Sequence, residues 1–152
     1  MLDLFKEFKT LTALLAERNI DYALCGGLAM AVYGTPRATI DIDLLIQRES
    51  LNAVKALSHT LGYIKEALPM KFADGAIEIS RLSKFDEESG DLLTLDLLLV
   101  TPAIQTVWDS RKEIEWENGK IRVVSREGLI ALKSLRGSGQ DLDDIKNLRE
   151  HD

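Results

Sequence analysis

A single cysteine, Cys25, in 152 residues excludes an intramolecular disulfide framework and a cysteine-built zinc ribbon. No apolar run approaches the roughly 18 residues a membrane span needs. The start, MLDLFKEFKT, lacks the basic opening and unbroken apolar core of a signal peptide. Neither a Walker loop ending in G-K-[ST] nor the dinucleotide fingerprint G-x-G-x-x-G is present. Positive charge is in deficit: 19 bases against 25 acids leave a net charge of −6. That argues against nonspecific nucleic-acid binding by bulk charge, though not against a local basic patch. Repeats, low-complexity stretches and linkers are missing too. At 45% apolar and 29% charged residues, general disorder is not expected. A domain of this length buries roughly 70% of its unfolded surface, enough for a core without staples. The expectation is one soluble, cytoplasmic domain over residues 1–152.

Apolar spacing predicts a helix over residues 3–18, with Asn19 suited to its end. Tyr22 to Cys25 reads as a buried strand meeting Gly26-Gly27, and Leu28 to Tyr33 as a helix closed by Gly34. Thr39 to Ile46 reads as a central strand and Ser50 to Leu61 as a helix. Residues 63–67, 76–82 and 92–100 are further strands, the last two joined by an acidic turn containing Gly90. A short helix follows to about Trp108. Strands at 114–116 and 121–124 flank Glu117-Asn118-Gly119, a hairpin signal. Ser125 caps a helix running to Gly137, and a last helix covers residues 140–149. The order α-β-α-β-α-β-β-β-α-β-β-α-α indicates an α+β fold: a mixed sheet flanked by helices, with helices at the C-terminus.

Four features bear on chemistry. Asp41 and Asp43 lie two apart on one strand, so both carboxylates project from the same face while Ile40, Ile42 and Leu44 face the other way. Like charges so placed repel, and a divalent cation relieves the repulsion. A solvated strand edge carrying two acids is the plain alternative. Asp96 interrupts the apolar strand TLDLLLV, and a buried acid needs a partner or a metal. Gly26 and Gly27 stand where a strand turns into a helix, which suits a phosphate or simply tight packing. Arg37, just before the acid pair, suits a phosphate or an ion pair with Asp41 or Asp43. Other residues read more simply. Cys25 is a core residue without a base beside it, and His59 is a surface or packing residue. Trp108 and Trp116 are packing aromatics, and residues 138–141 form a helix cap and first turn.

Together these residues resemble the nucleotidyltransferase superfamily with the DNA polymerase β-like fold. The carriers are Gly26-Gly27, Asp41-Ile42-Asp43 and Asp96. Gly34, Arg37, Thr39, Asp41 and Asp43 fill the G-x-x-R-x-T-x-D-h-D segment of minimal bacterial nucleotidyltransferases, including the AbiEii-type toxin group. Ala131-Leu132-Lys133 and Gln140-Asp141-Leu142-Asp143-Asp144-Ile145 resemble that group's C-terminal elements, with Gln140 in place of the usual basic residue. The resemblance spans about residues 20–148. It implies two-metal phosphoryl transfer. Asp41 and Asp43 would hold Mg²⁺ (or Mn²⁺) against an NTP, and Asp96 would complete the second metal site and help activate the acceptor hydroxyl. Gly26, Gly27, Arg37 and Lys133 would bind phosphates. Lys133 also reads as one of the lysines common on the polar side of an apolar-rich helix.

The resulting expectation is a metal-dependent enzyme moving a nucleoside monophosphate from an NTP to a hydroxyl acceptor: an RNA end, a protein or a small molecule. So short a chain leaves little room for an acceptor domain, which points to a homodimer, a partner protein or a small acceptor. The alternative is a non-catalytic nucleotide-binding or regulatory protein on the same fold, including a toxin–antitoxin component.

Overall fold

The computed structural model describes residues 3–34 and 41–150. Helix α1 (Leu4–Glu17) starts at Asp3, whose carboxylate accepts from the amides of Phe5 and Lys6. It buries Phe8, Leu11 and Leu15, the stripe its spacing predicts. Asn19, at φ 55°, turns the chain into β1 (Ala23–Cys25). Helix α2 (Gly26–Val32) begins two residues earlier than the sequence suggests and takes both glycines into its first turn. Strand β2 (Asp41–Ile46) and α3 (Leu51–Thr60) follow.

The next segment differs from expectation. Residues 63–67 reduce to a two-residue strand, β3 (Lys65–Glu66), and Tyr63 instead plugs the core. A further strand, β4 (Met70–Phe72), precedes β5 (Ile77–Phe85). Both short strands pair antiparallel with β5, which protects an edge the sequence pattern alone does not reveal. Strand β6 (Leu92–Leu99), α4 (Gln105–Asp109) and the hairpin β7 (Lys112–Trp116)–β8 (Gly119–Val123) complete the sheet. The hairpin turns on Glu117 and Asn118, both at positive φ, rather than on Asn-Gly, because Gly119 pairs with Trp116. Helix α5 (Arg126–Arg136) is capped by Ser125, whose Oγ accepts from the Gly128 amide, and ends on left-handed Gly137. Helix α6 (Gly139–Glu150) closes the chain.

The sheet order is β3-β5-β6-β2-β1-β8-β7. Strand β2 runs parallel to β6 and antiparallel to β1, so the acid-bearing strand is central. The two faces of the sheet are covered differently. Lys84 and Arg81 lie three apart on β5 and so face opposite ways. Lys84 reaches Glu7 of α1, while Arg81 reaches Asp96. Helix α1 packs on α3 and β2, and α5 packs on β5, α2, α4 and α6. Hence α1 and α3 cover one face, and α5 and α6 lie over the face that carries the acids. No helix among the described residues is long and apolar enough to cross a membrane.

Phe8 is fully buried and meets Tyr22 edge to face at 6.4 Å. Phe8→Ala is expected to cost about 3–5 kcal/mol, to be read as a lowered urea midpoint at unchanged slope.

Candidate active site

Register brings the acids together. Asp43 is directly opposite Asp96 across the parallel β2–β6 pair, and Asp41 is opposite Thr94. Asp41, Asp43 and Asp96 therefore share one sheet face. Asp43 is 6% exposed and Asp96 1%, while Asp41 is half-buried. On the other side of β2, Cys25 is opposite Asp43, and its thiol lies 3.5 Å from the Asp43 carbonyl oxygen, to which it donates. Burial, then the Asp43 charge, pushes that thiol well up, so it is a core group and not a nucleophile.

Gly26 brings the backbone against this centre. Its φ is +68°, and a Cβ there would sit 2.1 Å from Asp43 Oδ2. Only glycine lets α2 start against the carboxylate. Gly27 is buried within the same first turn.

Asp43 is electrically stressed. Burial, then the charges of Asp96 and Asp41, raise its pKa to about 7, against a smaller opposing pull from Arg136 and Lys133. Asp96, by contrast, has a dedicated partner. Arg81 donates to it through both Nε (2.7 Å to Oδ1) and Nη2 (2.9 Å to Oδ2). Among the described residues, no three His, Cys, Asp or Glu side chains cluster as a metal-holding group. Asp41 and Asp43 have the donor chemistry for a hard divalent cation, which takes one or two carboxylates with phosphate and water oxygens. The charge excess on Asp43 is what such an ion relieves.

Helix α5 brings Lys133 to the same place, but not on a polar side. Lys133 is buried, and its ammonium donates to Asp144 Oδ2 at 2.8 Å, with Asp141 at 3.9 Å. Gln140 donates to the other oxygen of Asp144, so the residue that departs from the basic pattern serves the α5–α6 junction. Ser138 and Asp141 cap α6 reciprocally: the Asp141 amide donates to Ser138 Oγ, and the Ser138 amide and hydroxyl donate to Asp141 Oδ2. Lys133, Arg136, Asp141 and Asp43 line a cavity of about 20 Å³. Arg37 lies outside the described residues.

The structure thus brings Gly26, Asp41, Asp43, Asp96 and Lys133 together and adds Arg81 and Arg136. Arg136 follows Lys133 by one helical turn. Helical spacing from Lys133 is a signal for Arg136, whereas Arg81 shares the face of Ile77 and Ile79 along β5 and is tied to Asp96 only by the β5–β6 register. His59 sits at the surface, 3.0 Å from Glu66. Trp108 is buried beneath Arg111, and Trp116 meets Phe5 edge to face.

The family model for the nucleotidyl transferase AbiEii toxin of type IV toxin–antitoxin systems matches residues 10–136. The chain belongs to the AbiEii nucleotidyltransferase family. No curated protein matches it in sequence. Its fold is similar to that of the lincosamide antibiotic adenylyltransferase LnuA with lincomycin bound, at TM-score 0.64 and 21% identity over 97% of each chain. It is also similar to ANT(2″)-Ia in complex with adenylyl-2″-tobramycin, at TM-score 0.62 and 17% identity, covering 93% of this chain and 84% of that one. A third match is JHP933 from Helicobacter pylori, at TM-score 0.56 and 20% identity, covering 97% of this chain and 65% of that one. These likenesses establish the nucleotidyltransferase fold.

A pH-dependent prediction follows from Asp43. Its folded pKa, about 7, lies above the unfolded value. Folded protein therefore binds more protons between about pH 4 and 7, and stability falls as pH rises through that window. Asp43→Asn removes the loss. The variant should exceed wild type by on the order of 1–4 kcal/mol above pH 7 without metal, with the gap closing toward pH 4. Chemical denaturation in EDTA at pH 4.5 and 8 measures this; a variant less stable than wild type at pH 8 would show that Asp43 serves packing.

Proposed function

We propose that this member of the AbiEii family transfers a nucleoside monophosphate from an NTP to a hydroxyl acceptor in a divalent-metal-dependent reaction. One observation carries the reading. Asp43 is held in register beside Asp96, with Asp41 on the same face, and the turn at Gly26 is pressed against the Asp43 carboxylate. A stability-driven sheet would not keep three acids on one face of its central strands.

Asp41 and Asp43 would hold Mg²⁺ or Mn²⁺, which supplies neutralisation of charge at the attacked phosphorus and on the leaving pyrophosphate. The chain's own residues do the rest. Gly26 keeps a side chain away from Asp43, and Gly27 and the first-turn amides of α2 supply donors for phosphate oxygens. Arg136 and Lys133 place positive charge on the Asp43 side, and Arg37 is proposed to add more. Arg81 fixes the orientation of Asp96 beside Asp43 through two parallel hydrogen bonds. Asp96 is the third acid of the centre.

The family description supports a second, compatible reading at the level of biology: the chain is the toxin of a type IV toxin–antitoxin pair. Antibiotics are a competing acceptor class, as for the lincosamide antibiotic adenylyltransferase LnuA and for ANT(2″)-Ia with its adenylyl-2″-tobramycin.

Incubation with each α-labelled NTP, Mg²⁺, and RNA, protein or aminoglycoside and lincosamide acceptors should transfer label to one class. Asp41→Asn and Asp43→Asn should each lower that transfer by at least about 100-fold, in line with losing a group that stabilises transition-state charge. Full activity in both variants would contradict a reaction centred on these acids, and no label transfer by wild type to any acceptor would leave the non-catalytic reading.

A further inference from the structure

The pairing of Arg81 with Asp96 changes the charge count of the centre. Asp96 stands between Asp43 on one neighbouring strand and Arg81 on the other, at the same level of the sheet. All three side chains project from one face. The carboxylate of Asp96 is 1% exposed, and each of its oxygens accepts from a different nitrogen of the same guanidinium. Fork-on-carboxylate geometry of this kind is specific as well as strong. A guanidinium does not lose its proton in a protein, so this positive charge is permanent.

From this, and resting on the nucleotidyltransferase reading, we infer that Arg81 takes the place of the second cation: the acid centre binds one divalent ion, on Asp41 and Asp43, and not two. Asp96 is neutralised by the chain itself. A second ion on Asp96 would have to meet the guanidinium at close range or expel it, and expulsion would strip a buried carboxylate of both its hydrogen bonds. Arg81 is accordingly a positioning residue. It acts through Asp96 and sets how many ions the acids accept. The resemblance that implies two metals rests on the glycines and the three acids and does not include β5, the strand that delivers the guanidinium.

The test is a count of bound Mn²⁺ per chain by equilibrium dialysis in the presence of each NTP, with retained nucleotide measured in parallel. Wild type should retain one Mn²⁺ per retained nucleotide, and Asp43→Asn should retain none. Arg81→Lys keeps the charge and should still retain one. Arg81→Met frees Asp96 and should retain two, falling back to one in the double variant Arg81→Met/Asp96→Asn. Two Mn²⁺ in wild type, or one in folded Arg81→Met, overturns the inference. If Arg81→Met does not fold, the wild-type count decides alone. Retention of neither nucleotide nor Mn²⁺ by wild type speaks instead against the nucleotidyltransferase reading itself.

Discussion

The crowding of carboxylates around Asp43 is the constraint on which the site depends. A buried acid opposite one acid and two residues from another is costly to ionise, yet the fold commits its central strands to that placement. Strand β2 lies between β1 and β6, where side chains on both faces are covered. The surroundings are shaped to match. Glycine stands where any other residue would drive a Cβ into the carboxylate, and a helix with a buried lysine and an arginine faces it. Arg81 pairs with one member of the group. These features are separate in sequence, and register alone joins them.

Much of this was legible before any coordinates. The D-x-D alternation puts two acids on one face by the pleat alone, and a lone acid within TLDLLLV, if buried, needs a partner or a metal. The stripe of Phe8, Leu11 and Leu15 and the Ser125 and Gly137 caps likewise follow from local rules. The missed elements share a cause. Strands β3 and β4 are two and three residues long and are held only by β5, so no periodicity marks them. The start of α2 was placed late because two glycines read as a turn, whereas here the first must accommodate Asp43. The pairing of Lys133 is not legible, whether it is read as a phosphate ligand or as a polar-side lysine, because its partners, Asp141 and Asp144, come from a different helix. Arg81 was passed over because a single arginine on a strand has no meaning until the strand beside it is known.

The helices at the C-terminus also gain a physical role. Lys133 on α5 is tied to Asp144 on α6, Gln140 braces the same carboxylate, and the Ser138–Asp141 cap fixes where α6 begins. Lys133 and Asp141 of this network line the cavity beside Asp43.

The most direct test is to ask whether a cation displaces a proton from Asp43. Calorimetric titration with Mn²⁺ in buffers of differing ionisation enthalpy reports protons released on binding. With a pKa of about 7 for the empty site, close to one proton should leave at pH 6 and almost none at pH 8.5, and Asp43→Asn should release none at either pH. Proton release that is the same at both pH values, or unchanged in Asp43→Asn, would contradict a cation site centred on this carboxylate.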